Sequence, residues 1–451
     1  MTHQFNRREF IVGGAAAALA PMLPATAQAA QDWPQWRGPQ RDGVWRESGI
    51  TPTLPKGQLP LRWKAPVSGG YSGPTVAGGK VYVTDRIVEP KEQERTLCFD
   101  AATGKSLWTH AWDVTYKGLG YPDGPRASVT IFDGRAYSVG AMGTVNCYDA
   151  GTGAVLWGHD FGTKYPIRLL NQPGPFWGIS AAPLIEGGLV ILHHGGAPDA
   201  CIIALDRKTG EERWRALSDV GAYSSPIIVR QAGRRVLVCW TAQNVVGLDP
   251  LTGRTYWTQP FPSKNVVIAI ADPVVHGDML YLTSFYQGSL MLKLHPDRLA
   301  ADRMWERVGQ NERSTDALHS IISTPLMMKQ EGKDYIYGVD SYGELRCLDA
   351  KTGDRLWENL DAVPKARWST IHFVKEGPAG DRIWMFNERG QVLIGKLTPK
   401  GFEELGRSDL LKPTMGQLPQ RGGVCWSHPA YANRRIFARN DEELVCADLS
   451  A

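Results

Sequence analysis

Asp100-Ala-Ala-Thr-Gly-Lys-Ser-Leu-Trp108 is the first of five copies of one nine-residue phrase, Asp-x-x-Thr-Gly-x-x-x-Trp, and its recurrence decides the fold. The others run Asp149 to Trp157, Asp206 to Trp214, Asp249 to Trp257 and Asp349 to Trp357. Asp297 to Trp305 keeps the offset with Ala300-Ala301 in place of Thr-Gly, while Leu397, Gly401 and Leu405 keep only the spacing. From Trp108 through Trp357 the tryptophans fall 49, 57, 43, 48 and 52 residues apart. A period of about fifty with a strand-turn-strand signature means radial repetition. Within the phrase, Gly supplies the positive φ of a tight turn and the Asp carboxylate caps that turn. The Trp, on the outgoing strand, offers a large flat face to the neighbouring repeat. The phrase reads as a structural lock and not as a reaction centre.

Each period divides into four short strands. In the third, the expected strands are 181–185, 189–193, 201–205 and 211–215, separated by Gly187-Gly188, Gly195-Gly196 and Lys208-Thr209-Gly210. Pro74, Pro183, Pro226, Pro273, Pro325 and Pro429 each stand near the start of an inner strand, where proline costs no ladder hydrogen bond. Val129 and Ile371 take that place in the second and seventh repeats, giving eight inner strands. The final repeat stops at Asp448-Leu-Ser-Ala without an outer strand, and Leu61-Arg-Trp-Lys64 supplies the missing piece. The expectation is an all-β, eight-bladed β-propeller of four-stranded antiparallel blades, its ring closed by an N-terminal strand.

The N-terminus reads as an address. Asn6-Arg-Arg-Glu-Phe-Ile11 carries twin arginines, 12–20 is small and apolar, and Ala27-Gln-Ala29 offers a small-x-small cleavage site. That apolar stretch is too short to span a bilayer, so residues 1–29 are expected to be a Tat-type signal peptide and 30–451 the propeller. The first cysteine is Cys98, which leaves no lipid-anchor site, and no later apolar run is long enough for a transmembrane segment. The expected location is the periplasm, and the expected state a monomer. Removing Arg7, Arg8 and Glu9 leaves 48 basic and 45 acidic side chains with no basic run, which argues against a nucleic-acid partner. Cys98, Cys147, Cys347 and Cys446 each precede a blade Asp by two residues; equivalent positions on different blades lie too far apart to bridge, so they read as buried thiols. His193-His194 sit adjacent on a strand, pointing to opposite faces, and read as one buried and one exposed histidine instead of a metal pair.

These repeats resemble the tryptophan-docking repeats of the pyrroloquinoline-quinone (PQQ) β-propeller superfamily. Asp32-Trp-Pro-Gln-Trp-Arg-Gly-Pro-Gln-Arg-Asp-Gly-Val44, Gly124-Pro-Arg126, Trp177-Gly-Ile-Ser180 and Ala222-Tyr-Ser-Ser-Pro226 resemble the exported PQQ-binding-like branch, which is similar to the outer-membrane assembly propeller BamB. The resemblance spans essentially the whole mature chain and is specific for fold but nearly silent on activity. The chain departs from it in two ways. It lacks the lipobox cysteine of the assembly propeller, and it lacks the adjacent cysteine pair and carboxylate-rich calcium site of the quinoprotein dehydrogenases.

Ligands on propellers bind where loops lead into the inner strands at the channel mouth, and the prolines index that mouth. Three residues before each mark stand Tyr71, Arg126, Ser180, Tyr223, Ile270, Ile322, Trp368 and Trp426. One residue before stand Gly73, Ser128, Ala182, Ser225, Asp272, Thr324, Thr370 and His428. Strand period two puts both sets on one face. Asp272 is their only carboxylate, which disfavours a calcium-bound PQQ unless loop residues such as Asp123, Glu312 or Asp316 contribute. No cofactor and no metal is expected. Trp177, Arg168, Asn171, Asn265, His319 and Arg367 lie on nearby loops, and the longest blade-to-blade connections are 111–126 and 158–179. Aromatic platforms with Arg126, Asp272 and His428 suit a saccharide, a peptide, a periplasmic protein segment or an anionic organic ligand. The plainer alternative is pore filling, with Arg126 paired to Asp272. His428 and His372, with Tyr223 and Arg126, are the acid–base candidates should the chain be an enzyme. The leading expectation is a ligand- or partner-binding scaffold; the alternative is a quinone-dependent oxidoreductase or a carbohydrate-active enzyme.

Overall fold

The computed structural model describes residue 1 and residues 32–167, 176–264 and 266–451. The rest of the expected leader, with its cleavage after Ala29, and Arg168, Asn171 and Asn265 lie outside the described residues. Eight antiparallel sheets follow one another around a ring. Blades 1 to 7 run Thr75–Asp113, Thr130–Asp160, Leu184–Ala216, Ile227–Pro260, Val274–Arg307, Leu326–Asn359 and Ile371–Asp409. Blade 8 takes three strands from Ala430–Asp448 and its outer strand from Leu61–Pro66, so the two ends of the chain meet in one sheet. In blade 3 the strands are Leu184–Glu186, Leu189–Gly196, Ala200–Asp206 and Glu212–Ala216; the inner one begins after Pro183, three residues later than expected, because proline cannot donate to the ladder. Among the described residues no helix is long and apolar enough to cross a membrane.

The nine-residue phrase builds the seam between blades. Asp149 Oδ1 accepts from the backbone of Gly151 and Thr152 and from the Thr152 hydroxyl, which shapes the turn. Gly153, at φ +77°, leaves a flat seat on which the Trp108 ring of the preceding blade rests; a Cβ there would stand 2.6 Å from Trp108 Cδ2. Trp108 Nε1 donates to Ala150 O at 3.2 Å. The same geometry recurs for Trp305 on Ala350 O and, across the ring closure, for Trp63 on Ala101 O, both reaching the next blade. Blade 5 has Ala300-Ala301 where the seat should be. Trp257 of blade 4 reaches it through Gln231, whose Oε1 accepts from the indole while its Nε2 donates to Ala300 O. Every blade also has a register shift in its third-to-outer pairing, as between Cys98 and Phe99 or Cys347 and Leu348. Such a bulge sharpens the twist of the outer strand and turns its Trp toward the neighbour.

The apolar core lies between facing blades, where Val139, Cys147 and Trp157 of blade 2 meet Val190, Ile203 and Leu205 of blade 3. All seven cysteines are free and buried. His193 and His194 are both buried, which corrects the expectation of one exposed ring. His193 sits by Ser224 O and the Ala222 N–H, and His194 by Tyr165 O, so the blade 3–4 and blade 2–3 connections cover the strand end.

Residues 32–46 are the feature not foreseen from the sequence. They enter the central channel as a hairpin from the end where inner and second strands turn. Trp33 pairs with Val76 of blade 1, Pro34 O accepts from Ile131 N of blade 2, and Arg41 donates to Ala182 O and Pro183 O of blade 3. Val44–Trp45 then adds a parallel strand to the inner strand of blade 7, Ile371–Glu376. The hairpin plugs one end of the channel and leaves the other open.

Candidate functional site

At the open end, loops leading into the inner strands surround a cavity of about 150 Å³, far more than a single water needs. All eight residues three places before the strand marks line it, from Tyr71 round to Trp426. Of the second set, Ser128, Ala182, Ser225, Asp272 and His428 line it as well; Thr324 borders a smaller void beneath, and Gly73 and Thr370 line neither. Gly73 is there to make room: a Cβ on it would stand 2.3 Å from the His428 ring. The connection from blade 1 to blade 2 contributes Tyr121 and Arg126, and that from blade 2 to blade 3 contributes Trp177 and Ser180; the first of these is shorter than the connection from blade 7 to blade 8, residues 410–429, which corrects the expected ranking.

The wall is aromatic and braced against itself. Trp177 stacks on Tyr223 with centroids 5.5 Å apart, and Tyr121 stands edge-on to Trp177 at 5.8 Å and to Trp368 at 6.4 Å. Tyr121 and Trp368 both hold positive φ, 54° and 69°, conformations that bulky residues rarely adopt without a surrounding structure that compels them. Tyr121 had no marker in the sequence, since it lies five residues before Arg126 in an irregular loop.

The floor is Trp36, from the plug. Its Nε1 donates to Asp272, and its ring meets His428 edge-on with centroids 3.9 Å apart. The other Asp272 oxygen accepts from Ser225 N at 2.8 Å. Burial pushes the Asp272 carboxyl above the usual carboxylate range, opposed by Arg37, the Trp36 hydrogen bond and Arg41. Enclosure in the channel lowers Arg41 to about 10, with Asp272 pulling the other way. The pairing of Arg126 with Asp272 is therefore corrected: the oxygens of Asp272 are taken by Trp36 of the plug and by Ser225 N. Arg126 donates instead to the carbonyls of Gly120, Tyr121 and Gly124 and lies 4.8 Å over the Tyr71 ring.

His428 Nε2 lies 2.9 Å from Ser128 Oγ, and His372 Nε2 lies 2.8 Å from Trp426 O. Burial lowers both, His372 to about 4 and His428 well below its ordinary value, so both are neutral at neutral pH. His319 and Arg367 stand outside the lining. His319 is buried between Phe285 O and Gly309 N, while Arg367 pairs with Glu312 and covers the outer face of Trp368. Glu312 and Asp316 are engaged by Arg367 and Arg307, and Asp123 by Gly70 N, so none reaches Asp272 to build a carboxylate cluster.

The sequence profile of the family described as outer membrane protein assembly factor BamB matches residues 92–359, more than half of the chain. The chain belongs to that family. No curated protein matches it in sequence. Among solved structures it is similar to BamB from Moraxella catarrhalis, at 17% identity and a TM-score of 0.55 over 86% of this chain and 97% of that one. It is also similar to the quinohemoprotein alcohol dehydrogenase of Comamonas testosteroni, at 14% identity and a TM-score of 0.61, covering 94% and 82%. A europium-containing methanol dehydrogenase gives 13% identity and a TM-score of 0.63, covering 92% and 89%. At these identities the likeness is one of fold. The carboxylate-rich metal site implied by the quinoprotein resemblance does not fit this member of the BamB family. Among the described residues Asp272 is the sole carboxylate lining the cavity, and both its oxygens are engaged. Among the described residues no group of three or more His, Cys, Asp and Glu side chains is placed to hold a metal.

Proposed function

We propose that this chain is a periplasmic binding propeller, exported by the twin-arginine leader at 1–29, that captures a small ligand or a partner's extended segment at the channel mouth as a monomer. One observation carries the reading: a self-braced aromatic cavity, open at one end and floored at the other by Trp36, with two of its rings held at positive φ. Pre-formed concave sites with a few fixed polar groups are what small-molecule recognition uses. Burial makes both histidines weak bases and both oxygens of Asp272 are engaged, which supports binding over proton transfer.

Native mass spectrometry and an absorption spectrum of the protein purified from its own host test this directly. The expected result is a colourless protein whose N-terminus is Ala30, carrying a discrete mass excess that Trp36→Leu abolishes. A visible chromophore would move the reading to the oxidoreductase alternative. A bare mass, with no partner retained from periplasmic extract, would overturn the binding role.

A further inference from the structure

We propose that the cavity recognises an acidic sugar residue, its carboxylate held by Arg126 and its hydroxylated ring lying between the aromatic walls; this rests on the binding role proposed above. Among the described residues Arg126 is the cationic side chain that lines the cavity, and it takes part in no ion pair among them. Backbone carbonyls of its own loop hold it instead and fix the guanidinium in place, while Glu94, the buried carboxylate that shares its field, has its oxygens taken by Trp112, Tyr116 and Ala141 N. A guanidinium fixed in this way is a ready partner for carboxylate. Asp272 does not reach it: its two oxygens are taken by the Trp36 indole and the Ser225 N–H.

The remaining polar groups decide what carries the carboxylate. Ser225 Oγ accepts from Ala182 N, so its hydrogen is free to donate; Ser180 Oγ donates to Tyr223 O, so its lone pairs are free to accept. Tyr223 OH accepts from Trp177 N and keeps its own hydrogen. A mixed set of donors and acceptors below an aromatic wall matches hydroxyl groups, which do both, and the C–H faces of a sugar ring, which pack on aromatic rings. An aromatic acid would satisfy Arg126 and leave these groups unanswered.

Tryptophan fluorescence of the mature protein, titrated with glucuronate, glucose and benzoate, tests the assignment. Glucuronate is expected to bind about tenfold or more tightly than glucose, as one charge-assisted contact implies. Its affinity should fall as salt rises and drop by a similar factor in Arg126→Gln, with Arg126→Lys retaining part of it. A terminal uronate on an oligosaccharide that binds more tightly than the free sugar would place the natural source at a chain end. Benzoate matching glucuronate would overturn the sugar assignment. Glucose matching glucuronate without salt dependence would overturn the role of Arg126 while leaving the binding cavity standing. Should none of the three bind, the inference fails, and the mass measurement above decides separately whether the cavity holds anything. The salt series on the unaltered protein keeps the test valid even if Arg126→Gln disturbs the loop it braces.

Discussion

Gly153 shows how much a single position in the repeat has to satisfy. Its φ of +77° disfavours any Cβ, and the Cβ would also press into Trp108. Gly153→Ala is expected to destabilise the fold by about 2–4 kcal/mol, from backbone strain plus overpacking, read as a shift in urea midpoint at unchanged slope. Asp123 gives a residue-scale prediction of another kind. Burial, with Asp441 alongside, pushes it up to about 7. A Cβ on Gly416 would lie 2.4 Å from Asp123 Oδ1 and 2.8 Å from Asp441 Oδ2, which shows how closely the two carboxyls converge. The folded value lies above the unfolded ~3.9, so the folded chain binds the extra proton between them. The associated stability is whole below about pH 4 and is lost as pH rises through about 7. Asp123→Asn, which cannot ionise, should flatten the fall of Tm across that window; a curve parallel to the native one would remove Asp123 as its source. Gly153 could be read directly because its partner belongs to the same repeated phrase. Asp123 could not, because Asp441 lies more than three hundred residues away and only the fold brings them together.

At the scale of elements, the hairpin 32–46 does the most for the site. It supplies Trp36 as a floor and brings Arg37 and Arg41 to Asp272. Trp36→Leu removes an indole from the channel and orphans one Asp272 oxygen, which is expected to cost about 2–4 kcal/mol. Equilibrium unfolding would show it, and a loss within experimental error would mean that the hairpin packs only loosely in the channel. The inner strands, by contrast, were indexed correctly by their prolines, and period two placed all eight residues of the first set on the cavity wall. The second set was only partly placed, because near the strand start the faces are set by what packs there, as His428 over Gly73. The hairpin itself has no hydrophobic period and no turn phrase repeated elsewhere. Its tryptophans gave no sign that they would leave the blades for the channel.

On the scale of the whole molecule, the ring holds because its first strand completes its last blade. Trp63 on Leu61–Pro66 rests against Gly104 of blade 1, as the other seam tryptophans do against their neighbours. A chain starting at Leu61 keeps this closure and loses the plug; it is expected to fold, with a lower Tm and no ligand response. A chain starting at Val67 bares the edge of Glu443–Asp448 and is expected to aggregate or unfold without cooperativity. Size-exclusion chromatography with thermal melts distinguishes the two, and equal behaviour would refute closure as the source of stability. The count of blades, the strand that closes them and the buried thiols were all determined by the sequence alone. Turn chemistry, strand alternation and a missing outer strand are local facts, each written within a few residues. Only the tertiary structure decided that Trp36 floors the cavity, that Asp272 meets Trp36 of the plug and that Arg126 is held by the carbonyls of its own loop. Those are distances across a channel, set by the diameter of the ring and by a segment that follows no repeat.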